Sequence, residues 1–90
     1  MTLRIEKSRG CLKTTISLIG QVHRENIGDL KAQIASDRPD VAFDLAEVTL
    51  VDVDVIRFLG ACEFEGIEIR NSSRYIREWM LRERERSRDI

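Results

Sequence analysis

Residues 41–70 read Val41-Ala42-Phe43-Asp44-Leu45-Ala46-Glu47-Val48-Thr49-Leu50-Val51-Asp52-Val53-Asp54-Val55-Ile56-Arg57-Phe58-Leu59-Gly60-Ala61-Cys62-Glu63-Phe64-Glu65-Gly66-Ile67-Glu68-Ile69-Arg70, and this stretch decides the fold. Val41 to Leu45 is a short, mostly apolar run of strand length, the pattern of a covered central strand. Asp52 is a good N-cap for a helix starting at Val53. Val55, Phe58, Leu59 and Cys62 then fall at i, i+3, i+4 and i+7 on one helical face. Gly66 ends the helix, since glycine tolerates the left-handed C-terminal position. Ile67 and Ile69 alternate with Glu68 and Arg70, as in a half-buried strand. A strand, a helix of this length and a second strand predict a right-handed crossover between parallel strands. Ligands and partners of such a sheet meet the carboxyl ends of its strands, which places the site of interest at Glu47 to Asp54, in the connection between strand and helix.

Working outward towards the N-terminus, Thr2 to Lys7 alternates Leu3 and Ile5 with polar residues and reads as an edge strand. Ser8-Arg9-Gly10 is a turn signal, and Thr14 to Val22 is a second strand carrying Ile16 and Leu18 on one side. The short turn favours a hairpin. His23 to Glu25 opens a loop, Asn26 is a candidate helix cap, and Asp29 sits in the first turn, where a carboxylate suits the positive end of the helix dipole. Ile27, Leu30 and Ile34 give this helix its buried stripe, and Arg38-Pro39-Asp40 turns the chain into the central strand.

Towards the C-terminus, Asn71-Ser72-Ser73 is a turn with two candidate caps, followed by a helix from about Arg74. Ile76, Trp79 and Met80 form its apolar stripe, with Tyr75 beside it. Arg82-Glu83-Arg84-Glu85-Arg86 can continue the helix through Glu78–Arg82 and Glu83–Arg86 pairs, but offers nothing apolar to bury. Residues 82–90 are therefore expected to be a solvated, frayed end. The whole reads as one α/β domain over residues 1–90: a mixed four-stranded sheet with three helices on one face.

Composition narrows the function. An apolar fraction of 42% suffices for a core. With 15 basic and 16 acidic residues the net charge is −1, which gives no field to attract nucleic acid or an anionic membrane. No long apolar stretch suggests a signal peptide or membrane span. Cys11 and Cys62 are expected to be two thiols in a cytoplasmic protein.

Few residues point to catalysis. His23 is the single histidine, without a nucleophile at a known motif spacing or a second histidine for a metal site. Asp44, Asp52 and Asp54 are three carboxylates near strand ends that could in principle hold Mg²⁺ for phosphoryl transfer, as receiver domains do. Against this, the chain is short for that fold and has no acidic pair after its first strand. No glycine-rich phosphate loop is present, and no cofactor or metal is expected. On the central helix, Val53, Arg57, Gly60 and Phe64 form a line opposite the core stripe. Phe64 is either covered by a neighbouring helix, the ordinary case, or exposed as part of a partner surface, with Gly60 allowing close backbone approach.

Two blocks resemble a known family. Gly20-Gln21-Val22-His23, with Leu30 ten residues after the glycine, is similar to that family's Gly-Glu-Leu-Asp pattern. Phe43-Asp44-Leu45-Ala46-Glu47-Val48-Thr49-Leu50-Val51-Asp52 resembles its strand and loop, Asp-Leu-x-x-Val-x-x-x-Asp. Together, with Gly66-Ile67-Glu68-Ile69 and Asn71-Ser72-Ser73 as next strand and turn, they resemble the STAS domain of bacterial anti-sigma factor antagonists. The resemblance implies a mixed sheet with helices on one side, no catalytic centre, and binding to an anti-sigma factor kinase or a place in sensory and transporter assemblies. In the antagonists, Asp-Ser-Ser-Gly opens the central helix and its second serine accepts phosphate. Here Asp52-Val53-Asp54-Val55 stands instead, so an aspartate occupies the phospho-acceptor position. His23 replaces the family aspartate, and the family's last strand and helix have no counterpart in these residues.

The resulting expectation is a non-enzymatic protein-interaction module in bacterial signalling, contacting its partner through His23, Asp52, Val53, Asp54, Arg57, Gly60 and Phe64, and self-associating as a homodimer through surface that a last strand would cover. The alternatives are a cytoplasmic accessory subunit of a transporter or sensory assembly, and a Mg²⁺-dependent phospho-accepting protein using Asp44, Asp52 and Asp54.

Overall fold

A computed structural model describes residues 3–10, 12–37 and 40–88. Cys11 and the Arg38-Pro39 part of the expected turn lie outside the described residues. The elements run β1 (Leu3–Arg9), β2 (Thr14–Val22), α1 (Ile27–Asp37), β3 (Val41–Val51), α2 (Val53–Phe64), β4 (Glu68–Arg70) and α3 (Arg74–Arg88), with a single 3-10 turn, Arg24–Asn26, before α1. The sheet has four strands in the order β1-β2-β3-β4. β1 and β2 form the antiparallel hairpin, and β2–β3 and β3–β4 are both parallel. This is the mixed α/β fold that the strand–helix–strand pattern predicts.

Burial identifies the helical face of the sheet. Ile16, Leu18, Val41, Phe43, Leu45 and Ile69 are buried together with Leu30, Ile34, Val55, Ile56, Leu59, Ile76 and Met80 from the helices. On the opposite face Thr15, Ser17, Asp44 and Arg70 are half-buried. Ala42 points to this second face and is still fully buried. Its register partners are Thr15 and Glu68. Arg70 reaches across β3 to Thr15 Oγ1 (3.4 Å) and Lys13 Nζ meets Glu68 Oε1 (2.9 Å), so polar side chains bridge over the alanine. This explains why the apolar run 41–43 does not alternate.

Four sequence expectations are corrected. The first strand extends through Ser8 and Arg9, which pair with Thr15 and Thr14, so the connection is Gly10–Lys13, closed by Gly10 N–H donating to Lys13 O (2.9 Å). Arg24–Asn26 is a 3-10 turn rather than a loop, and Asn26 Oδ1 accepts from His23 N–H (2.9 Å), reaching backward instead of capping α1. β3 does not stop at Leu45 but runs to Val51, because β2 continues beside it to the Val22↔Val51 pair. Two register shifts, with Gly20 at φ 100°, absorb the extra residues of β3 and break its alternation beyond Leu45. Last, the end of α3 is not simply solvated: Glu83 is buried, and Arg57 Nε donates to its Oε1 at 3.0 Å. The expected Glu83–Arg86 pair is present at 3.9 Å, while Glu78 pairs with Arg74, one turn back.

The remaining boundaries follow local chemistry. Asp52 Oδ1 accepts from Val55 N–H (3.0 Å) and starts α2. Gly66, at φ 97°, stops it: Gly66 N–H donates to Glu63 O and Ile67 N–H to Cys62 O, satisfying the last carbonyls of the helix. Ser73 Oγ accepts from Ile76 N–H (3.2 Å) and starts α3.

The charged bridge on the open face has a measurable signature. Hydrogen bonds from Arg70 and then Lys13 lower the Glu68 carboxyl from its ordinary 4.5 to about 2. The folded value lies below the unfolded one, so this pairing stabilises the fold fully above pH 4.5 and is lost as pH falls towards about 2. The expected NMR titration of the Glu68 carboxyl carbon has its midpoint near 2, and Arg70→Ala moves it up towards the ordinary glutamate range. An ordinary midpoint in the unaltered protein would show that the bridge does not form.

Candidate functional site

Continuation of β3 to Val51 turns the expected strand–helix connection into strand, leaving Asp52 alone as the link to α2. That single residue ties two segments together. Its Oδ1 caps α2, and its Oδ2 accepts from Arg24 N–H (2.9 Å) at the start of the 3-10 turn. His23 stands beside it, with Nδ1 at 4.0 Å from Asp52 Oδ2 and Nε2 at 3.3 Å from Gln21 Oε1. His23, Asp52, Val53 and Asp54 therefore come together where β2 and β3 end and α2 begins. Asp54 is half-buried rather than exposed, and among the described residues it has no hydrogen-bond or ion-pair partner.

Asp44 does not join them. It lies eight residues earlier on extended backbone, a separation of roughly 26 Å at about 3.3 Å per residue. Its Oδ1 accepts from Ala46 N–H (2.9 Å) and from Asn71 Nδ2 (3.2 Å), occupying the edge of β3 just where β4 ends. The three aspartates thus form no common cation cage, and among the described residues no group of three His, Cys, Asp or Glu side chains could hold a metal.

The second half of the expected surface lies along α2. Arg57, Gly60 and Phe64 line a groove of about 750 Å³ between α2 and α3. The helices run antiparallel, because Arg57 pairs with Glu83 (3.0 Å) while Glu63, further along α2, pairs with Arg77 (2.8 Å), earlier in α3. Ile56, Ala61, Met80 and Leu81 supply apolar lining. Gly60 is half-buried, and a Cβ built there would meet nothing within 4 Å, so the groove is open above it. Phe64 resolves the alternative left by the sequence: it is 85% exposed. Leu81, also on the groove, is 49% exposed.

Sequence reasoning missed the α3 side of this groove. Leu81, the last apolar residue before the charged run, was the available signal. Glu83 carried none, because an arginine–glutamate alternation looks the same whether its glutamate faces water or another helix. Ile56 was missed for a different reason: it sits beside the core stripe, and the fold buries it at the floor of the flank that α2 shares with α3.

Comparisons with known proteins add no assignment: no family model matches the chain, and no curated protein matches it. Among the described residues, no helix is long and apolar enough to cross a membrane.

Proposed function

We propose that this protein is a non-catalytic, cytoplasmic interaction module of bacterial signalling, of the anti-sigma factor antagonist type, that binds a protein partner through the start and the exposed flank of α2. The observation that carries this reading is Phe64. A large aromatic side chain exposed to 85%, next to an apolar groove and Leu81, has no role in the core and forms the kind of contiguous apolar surface that partners cover. The Asp54 carboxylate, in the first turn of α2 and without a partner among the described residues, supports it. In this reading Asp54 supplies a fixed negative charge where a related antagonist would be phosphorylated, so a serine kinase has no acceptor at that position.

Quantitative capture from native lysate with the unaltered chain and two variants tests the proposal. Phe64→Glu is expected to abolish retention of the specific partner while leaving the melting curve nearly unchanged. Asp54→Asn keeps the shape and removes the charge. Its effect on folding is expected to stay below about 1 kcal/mol, the range of a helix-end charge. Against a partner arginine in a desolvated contact, its effect on binding is expected to reach about 2–5 kcal/mol. Partner retention that is indifferent to both substitutions would remove α2 as the contact.

A further inference from the structure

We infer that the groove between α2 and α3 receives an amphipathic helix of a partner protein, one whose apolar stripe is flanked by acidic residues; this rests on the interaction reading above and specifies the partner chemistry of that surface. The shape comes first. Two antiparallel helices, tied by Arg57–Glu83 and Arg77–Glu63, leave a trough with an open position above Gly60 and with Ala61 and Met80 in its lining. Phe64 and Leu81 stand exposed at this trough. A third helix laid along such a trough presents apolar side chains at i, i+3, i+4 and i+7 to it.

Charge selects the flanks. The two acids of the groove are already neutralised in place. Glu83, whose side chain is 10% exposed, sits between Arg57 and Arg86, and Arg77 holds Glu63. What faces outward is cationic. Arg84 has no partner among the described residues, and Arg57 is 60% exposed and engages Glu83 through Nε. Guanidinium groups in this setting take carboxylates in paired hydrogen bonds. The same charges argue against a second copy of this chain as the occupant, since two such grooves face to face set arginine against arginine. The apolar lining and the net charge of −1 argue against nucleic acid.

The test uses the whole ¹⁵N-labelled chain and two synthetic peptides of about fourteen residues, a helix of roughly 21 Å. Both carry leucine at i, i+3, i+4 and i+7; glutamate flanks the stripe in one and lysine in the other. The glutamate peptide is expected to shift backbone amide signals of residues 57–64 and 77–84 and to bind at least about tenfold more tightly than the lysine peptide, as a specific charge contact requires. Arg84→Glu is expected to erase that preference, and Phe64→Ala to weaken both peptides; both side chains are exposed, so the fold survives these changes. Equal affinities, absent shifts, or shifts confined to another surface overturn the proposal. So does a dimer by light scattering whose dilution shifts the same amides, because a second copy is then the occupant. If the peptides fail while capture of the native partner still depends on Phe64, the acidic helix is wrong and the interaction reading stands; capture independent of Phe64 defeats that reading itself.

Discussion

Phe43→Ala is expected to remove a large part of the stability of the fold. Phe43 is fully buried on the central strand, between Ile16 of β2 and Ile69 of β4, and its ring meets the Phe58 ring edge-on with centroids 6.3 Å apart. Truncation removes the apolar contacts of a whole aromatic ring and leaves a void that flanking strands on both sides cannot collapse into, at a cost of about 3–5 kcal/mol. Small domains have roughly 5–15 kcal/mol of stability in total, and in this size class each kcal/mol moves the melting temperature by about 4–8 °C. A fall of roughly 12–40 °C in a thermal melt followed by circular dichroism is therefore expected. Phe58→Ala, at a half-buried position, is expected to cost clearly less. Equal losses at the two positions would mean that the core is not centred on β3.

The second large effect is expected at Asp52. Its two carboxylate oxygens serve two different backbone donors, Val55 N–H and Arg24 N–H, and so join the beginning of α2 to the segment that leads into α1. Asp52→Ala strands both donors at once. With about 1 kcal/mol for a lost helix cap and a similar or larger amount for the second charge-assisted bond, a loss of about 2–3 kcal/mol is expected in denaturant unfolding. Asp52→Asn keeps one acceptor oxygen and should recover roughly half of that, whereas Asp54→Asn, two residues on, should change stability by less than about 1 kcal/mol. Matching losses for Asp52→Asn and Asp52→Ala would show that the charge, not the paired geometry, is what matters there. Because His23 lies 4.0 Å from the same carboxylate, the Asp52 variants also disturb the proposed contact surface, and partner binding should weaken along with folding.

Much of this architecture was legible in the chain. The i, i+3, i+4, i+7 stripe of α2, its Asp52 cap and its Gly66 stop are local features set by backbone geometry within a turn or two, and the structure has them at those positions. The hairpin and the parallel order β2-β3-β4 follow from how short a turn is and how long a crossover helix is. Where the reading failed, the deciding contact was distant. β3 ends at Val51 because β2 is there to pair with it, and the two register shifts conceal the strand periodicity from anyone counting alternate residues.

The same division governs the candidate site. The sequence by itself determined the composition of α2: that Asp54 follows its cap and that Arg57, Gly60 and Phe64 share a line. Periodicity assigns residues to a face but not to a neighbour, because a helix face has no preference until something packs on it. Only the tertiary structure decided that α3 lies antiparallel along one flank of α2, which buries Glu83 against Arg57 and leaves Phe64 exposed at the groove between the two helices. It also decided that Asp44 stays on the open face of the sheet, a strand's length from Asp52 and Asp54, since eight residues in extended backbone cannot bring their carboxylates together.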